Sequence, residues 1–273
     1  MGRCEGKVAI VTGASRGIGR AIAERLASEG ALVAVTARSL DTAPEHLGGT
    51  LQDLVALIES RGGRAIAIAA DLSDPEDRAR IVPETEAQLG PVDILVNNAA
   101  ASFYIPFEKY SKNRFRVMTE INFNAPWDLC QQVVPGMHER GSGWIVNVSS
   151  ATANHHESPF PKFAATGGSL LYGSTKAALN RFTNGLAAEL QPFGIAVNSV
   201  EPVAAVITPG VKALGINTRG AVVEPVEALA EATLELATCD PVKLAGRITQ
   251  ATPLLEELGV AIRTLDGSAR YEG

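Results

Sequence analysis

Hydrophobic and polar positions fall into alternating blocks along this chain. Short, β-branched apolar runs that read as buried strands are separated by longer segments whose apolar residues recur at helical spacing. Lys7 to Thr12 (KVAIVT) is the first such strand, and Ile18, Ile22 and Leu26 mark a helix that Gly30 ends. Ala31 to Ala37 predicts a second strand, followed by a loop over 38–49 and a helix on Leu51, Leu54, Val55 and Ile58, closed by Gly62-Gly63. Arg64 to Ala70 is a third strand. Pro75 to Leu89 is helical, with Pro75 suited to a first turn. Val92 to Val96 is the fourth strand, and helical patterns run on through about Arg140 after an ambiguous segment at 101–110. Trp144 to Val148 is the fifth strand, Tyr172 to about Gln191 a long helix, and Ile195 to Val200 the sixth strand. A loop over 202–225, a helix near Glu227 to Thr238, a seventh strand within Gly246 to Thr252 and a short helix at Leu254 to Leu258 complete the pattern.

Apolar strands alternating with helices predict parallel strands joined by right-handed crossovers and covered by helices on both faces. The expectation is an α/β chain with a single doubly wound parallel sheet of the Rossmann type, of about seven strands, forming one domain over residues 1–273. Such sheets bind ligands beyond the carboxyl ends of their strands, near the point where strand order reverses. The polar clusters of this chain follow the first six strands, where that rule expects them.

Composition narrows the function classes. Of 273 residues, 46 % are hydrophobic and 20 % charged, with Lys plus Arg at 24 against 30 for Asp plus Glu, a net charge of −6. No basic block or arginine-rich stripe offers an electrostatic footprint for nucleic acid. No apolar run approaches the roughly 18 residues of a membrane span. Cys4, Cys130 and Cys239 are scattered without a CxxC pair, which suits free thiols in a reducing compartment. The expectation is a soluble cytoplasmic protein. His155 and His156 lack partner ligands and read as exposed loop residues, so no metal site is expected.

Thr12-Gly13-Ala14-Ser15-Arg16-Gly17-Ile18-Gly19 lies between a predicted strand and a predicted helix. Gly13 suits a tight turn, Gly17 and Gly19 permit close backbone approach, and the helix amino terminus offers free N–H groups to a pyrophosphate. In dinucleotide sites an acidic residue after the second strand holds the ribose 2′-hydroxyl, but here Ala37-Arg38 occupies that place. Arg38, with Arg16, suits a 2′-phosphate. NADP(H) is therefore favoured as cofactor and NAD(H) is not excluded; the alternative for Arg38 is a solvated loop position. Asp71 suits either the adenine amino group, with Leu72 beside the ring, or a turn. Asn97 suits a tie between strand ends and Asn98 a ligand contact. Ser149-Ser150 follows the fifth strand, so a hydroxyl should face the cleft and donate to a substrate oxygen. Tyr172 and Lys176, four apart on one helix face, place an ammonium beside a phenol, which predicts a lowered pKa for Tyr172 and a proton donor to that oxygen.

In combination these residues resemble the short-chain dehydrogenase/reductase family: the Thr-Gly-x-x-x-Gly-x-Gly run at 12–19, Asn97-Asn98-Ala99, Ser150, Tyr172 and Lys176. The resemblance covers roughly residues 5–210. It implies that Asn122, Ser150, Tyr172 and Lys176 form the catalytic set, with Asn122 holding a proton-relay water. It also implies that Gly13, Ser15, Arg16, Gly17, Ile18, Gly19, Asp71, Leu72, Asn98, Ala99, Ala100 and Thr208 join Arg38, Tyr172 and Lys176 around the cofactor, and that the protein is a homo-oligomer, dimer or tetramer. Several features depart from the family pattern. Asn98-Ala99-Ala100 replaces Asn-Ala-Gly, Pro202-Val203 replaces Pro-Gly, and the run to Thr208 is one residue longer than the family pattern. The Ser150–Tyr172 gap is 22 positions, and its extra residues, among them Phe160, Pro161 and Phe163, are expected in a substrate wall near 151–168, with a second loop near 203–225. The long loop at 38–49 and the atypical tail resemble a hydroxysteroid-dehydrogenase-like branch. The implied activity is interconversion of a secondary alcohol and a carbonyl on a hydrophobic small molecule. A catalytically silent dinucleotide sensor is the alternative, against which the complete Ser/Tyr/Lys set argues.

Overall fold

The computed structural model describes residues 2–42, 48–160, 168–208 and 223–272. Within them, seven strands form one parallel sheet: β1 Val8–Thr12, β2 Leu32–Ala37, β3 Arg64–Ala69, β4 Val92–Asn97, β5 Gly143–Val148, β6 Ile195–Glu201 and β7 Ile248–Gln250. Their spatial order is β3-β2-β1-β4-β5-β6-β7, every pairing being parallel. The order reverses between β1 and β4, so the crevice expected of a doubly wound sheet opens there.

Strand residues alternate between two helix layers because successive side chains point to opposite faces. Ala9, Val11, Val33, Val35, Val146, Val148 and Val200 pack against α1 (Gly17–Ser28), α2 (Leu51–Ser60), α7 (Val226–Ala237) and α8 (Ala251–Leu258). Ile10, Leu95, Ile145, Ile195 and Val197 pack against α3 (Pro75–Leu89), α5 (Ala125–Arg140) and α6 (Leu170–Leu190). The strands have no polar face, as their near-continuous apolar runs require.

Two boundaries differ from the pattern-based expectation. The segment through Arg140 divides into α4 (Lys112–Thr119), a π-helical turn at Glu120–Asn124, and α5. The regular part of β7 is three residues long, because Ala251 already starts α8. Pairing nevertheless begins earlier, the Gly246 N–H donating to Val197 O at 2.8 Å and the Ser199 N–H to Arg247 O at 2.8 Å. No helix among the described residues is long and apolar enough to cross a membrane.

Candidate active site

The glycine turn joins β1 to α1 and is clamped from β4. Thr12 Oγ1 accepts from the N–H groups of Asn98 (3.0 Å) and Ala99 (3.1 Å), while Asn98 Nδ2 donates to the carbonyls of Thr12 (2.8 Å) and Gly13 (3.2 Å). Asn98 thus holds the shape of the turn. A Cβ on Gly19 would lie 2.3 Å from Asn98 Nδ2 and 2.5 Å from Gly13 O; this glycine is required by the turn's own closure. Ile18 packs into the core, and Thr208 lies against Gly17, its Cβ 3.3 Å from where a Gly17 Cβ would sit.

The amino end of α1 is open in a manner that fits a phosphate. Arg16 occupies the N-cap with no side-chain capping bond, so the first N–H groups of the helix keep their donor capacity. Arg38 follows β2 directly and is exposed. Burial and the neighbouring Arg38 cation hold the Arg16 guanidinium below its ordinary range. Neither arginine forms an ion pair with a carboxylate among the described residues. Two unneutralised guanidiniums repel, and a dianion between them would relieve that repulsion. Ser15 abuts the end of the 38–49 loop, its carbonyl oxygen 2.5 Å from where a Gly49 Cβ would sit.

At the end of β3, Asp71 Oδ1 accepts from the Ser73 N–H (2.9 Å), closing an Asx turn, and the Asp71 N–H donates to Asp77 Oδ2 (2.7 Å). The turn role read from the sequence is therefore occupied at one carboxylate oxygen. Leu72 is buried among core residues. Asn97 plays the structural part expected of it: its Nδ2 donates to Asn147 Oδ1 (2.9 Å), and Asn147 Nδ2 in turn donates to Thr183 Oγ1 (2.8 Å), tying β4, β5 and α6 together.

The residues expected to be catalytic lie at and beyond the carboxyl ends of β4 and β5. Ser150 caps a short 3₁₀ turn at Ala151–Ala153. Its Oγ accepts from Thr152 Oγ1 (2.9 Å) and from the Thr152 N–H (3.2 Å). Those two donors leave the Ser150 proton free to point outward, and the Ser150 hydroxyl lies near enough to the Tyr172 phenol to lower its pKa. Helix α6 lies close to this turn at Gly173, where a Cβ would be 2.4 Å from Thr152 O. Asn122, fully buried in the π-helical turn, is bonded on both sides of Ala101: its Oδ1 accepts from the Ala101 N–H (2.8 Å) and its Nδ2 donates to Ala101 O (2.9 Å). Nδ2 also donates to Thr175 Oγ1 (3.0 Å) on α6.

The expected lowering of the Tyr172 pKa is not found among the protein groups. Burial and the neighbouring Tyr104 hydroxyl push the Tyr172 phenol up, against a lowering by the Ser150 hydroxyl. The physical reason is where Lys176 points. Its Nζ donates to Val148 O at 2.6 Å and stands 5.9 Å from the centroid of the Tyr172 ring, so the ammonium is spent on a carbonyl. Burial in turn pushes Lys176 down to about 8.

Thr152 and Thr175 escaped the sequence reading, and Thr12 figures in it only as the start of the glycine motif. Only the fold shows that each orients a neighbouring residue. Ala100 is exposed at the end of the Asn98-Ala99-Ala100 run, and His155 is exposed as expected. His156 is half-buried. Phe160 is 62 % exposed, while Pro161, Phe163 and residues 209–222 of the proposed substrate walls lie outside the described residues.

The profile of the short chain dehydrogenase family matches residues 7–217. A short chain dehydrogenase of Pseudocercospora fijiensis is 40 % identical over 204 residues, covering 74 % of this chain and 60 % of that protein, so the match spans less than two thirds of its length. Among solved structures, a metagenomic short-chain oxidoreductase in complex with NADP superposes with a TM-score of 0.72 at 28 % identity, covering 91 % of this chain and 98 % of the other. A blue fluorescent protein from a metagenomic library in complex with NADPH superposes with a TM-score of 0.75 at 32 % identity, covering 91 % and 97 %.

Proposed function

The chain belongs to the short-chain dehydrogenase family, and from that premise we propose that it is an NADP(H)-dependent oxidoreductase interconverting a secondary alcohol and a carbonyl. The observation that carries this reading is the nearness of the Ser150 hydroxyl to the Tyr172 phenol, on the same sheet end as the Asn98-clamped glycine turn. When bound, the nicotinamide supplies or accepts the hydride at the substrate carbon. The remaining work falls to this chain. Tyr172, kept protonated by burial, gives its proton to the carbonyl oxygen, and Ser150 donates a hydrogen bond to the same oxygen. Thr152 fixes the direction of the Ser150 proton. Lys176 holds Val148 O and stands where a ribose hydroxyl would reach it. Asn122 fixes Ala101 and, through Thr175, the start of α6. The Arg16–Arg38 pair selects the 2′-phosphate, and the turn at Gly13 to Gly19 carries the pyrophosphate.

The expected substrate is a hydrophobic carbonyl compound or its alcohol, taken by the whole chain acting as one catalytic domain. Tyr104 and Phe103 supply apolar wall among the described residues. A second copy of the chain is the expected macromolecular partner. It would pack on the groove between α5 and α6 lined by Phe123, Trp127, Phe182 and Leu186. Three buried, unpaired thiols suit a cytoplasmic setting.

Calorimetric titration with NADPH and NADH, followed by assay against a ketone panel, tests the reading. NADPH should bind more tightly, and Tyr172→Phe should abolish turnover while leaving NADPH affinity within about twofold, since no cofactor phosphate contact is removed. Retained turnover in Tyr172→Phe would overturn the mechanism.

A further inference from the structure

The segment between β4 and α4 places a second phenol in the site, and the reaction steps above leave it unused. Asn122 fixes the start of this segment at Ala101. Tyr110 fixes its far side, its hydroxyl reaching the carbonyls of Phe103 (2.5 Å) and Gly168 (3.2 Å). Gly168 in turn abuts Ile105, where a Cβ would lie 2.6 Å from the Ile105 nitrogen. Held between these anchors, the Tyr104 ring stands 5.9 Å from the Tyr172 ring, centroid to centroid, tilted by 54°.

Tyr104 is half-buried, and its hydroxyl makes no hydrogen bond among the described residues. Burial pushes its pKa up, so it remains a proton donor throughout the neutral range. With no protein partner, this hydroxyl keeps its donor capacity for a ligand oxygen that displaces solvent. The oxygen at the reacting carbon is already addressed by Tyr172 and Ser150. A third donor beside them therefore has only a different substrate oxygen to address. With the ring centroids 5.9 Å apart, one small substrate held at Tyr172 can also touch Tyr104.

We propose that Tyr104 is a specificity-determining residue that donates a hydrogen bond to a second substrate oxygen next to the reacting carbonyl, so that the site favours vicinal diketones and α-hydroxy ketones over simple ketones. This rests on the oxidoreductase reading above and goes further by naming the substrate class.

The test compares 1-phenyl-1,2-propanedione with propiophenone, using NADPH and the full chain. The ratio of their kcat/KM values is measured in the wild type and in Tyr104→Phe, which keeps the ring and removes only the hydroxyl. Because the intrinsic reactivities of the two ketones cancel between variants, the ratio isolates the second oxygen. It should fall by about tenfold in Tyr104→Phe, the worth of one neutral hydrogen bond. A ratio unchanged in an active variant would overturn this inference alone. Loss of both activities with normal NADPH affinity would overturn it too, by making Tyr104 part of the reaction itself. Failure of the wild type to reduce either ketone would overturn the oxidoreductase reading and this inference with it.

Discussion

At the residue scale, the site is governed by where each buried polar group spends its hydrogen bonds. Lys176 is 2 % exposed and its amine is committed to Val148 O, so its titration is a property of burial. A lysine whose folded pKa of about 8 lies below its ordinary 10.5 is disfavoured in its charged form by folding. Below about 8 both folded and unfolded states carry the proton, and the full penalty applies; between about 8 and 10.5 only the unfolded chain binds it, so stability rises with pH there. Lys176→Met removes this dependence. Melting of the two proteins without added cofactor should show the variant gaining relative to wild type at pH 7, on the order of 3 kcal/mol at most, with the gap closing towards pH 10. A gap independent of pH would mean that the amine is not desolvated. Arg38 is the second residue whose chemistry can be isolated. Arg38→Asp places a carboxylate where a 2′-phosphate would sit, and should weaken NADPH binding by at least about tenfold while sparing or improving NADH, read by calorimetry.

At the scale of elements, two contacts decide whether the catalytic groups meet. The first is the approach of α6 to the Ser150 turn at Gly173. In an exposed helix, glycine to alanine stabilises by about 1 kcal/mol. Here the added Cβ would lie 2.4 Å from Thr152 O. Gly173→Ala should therefore lower the melting temperature and, by moving Tyr172 away from Ser150, reduce kcat more than it raises KM. The second is Arg78, 3 % exposed on α3. Its guanidinium donates to Leu72 O (2.8 Å), to Glu120 Oε2 in the π-helical turn (2.8 Å) and to Asp128 Oδ2 on α5 (2.8 Å). One side chain thereby links the turn after β3 to the turn that carries Asn122. The carboxylates of Glu120 and Asp128 are 22 % and 35 % exposed and can be hydrated once it is gone. Arg78→Met should then cost about 1–3 kcal/mol, less than the loss of a fully buried pair. Chemical denaturation checks that value, and a parallel loss of kcat would show that the π-helical turn had shifted.

At the scale of the whole molecule, the face between α5 and α6 gathers several aromatic side chains into one apolar groove. Trp127 is 43 % exposed, and its ring lies 5.0 Å from that of Phe182 and 6.3 Å from that of Phe123. Exposed alanine at 178 lets a neighbouring helix approach closely. Trp127→Glu would bury a charge in any contact made there, so sedimentation should show a shift to smaller species if a second copy covers this face. The same variant assayed for activity reports on the site, because the elements that carry this face also carry the buried Asn122 and Lys176. Far from this face, Arg25 and Glu231, both buried, pair at 2.8 Å and lock α1 to α7. The helix whose amino end follows the glycine turn is thus braced at its far end.

The sequence alone determined the sheet and the placing of the site. Strand after strand of apolar residues could be buried only in a parallel sheet with helices on both faces, and the polar clusters had to fall at its carboxyl end. It also determined which residues could carry the chemistry, since glycine at 13–19, Arg38, Ser150, Tyr172 and Lys176 each have a type and a position that local spacing reveals. What only the tertiary structure decided is direction. Four-residue spacing put Lys176 on the same helix face as Tyr172, but Val148 O on a separate strand captured the ammonium and left burial to set the phenol's pKa. In the same way Thr12, Thr152 and Arg78 gained their roles from partners far away in the chain or turned by the backbone. Hydrogen bonds are short-ranged and directional, so their partners are fixed by how the elements pack, which the one-dimensional pattern does not contain.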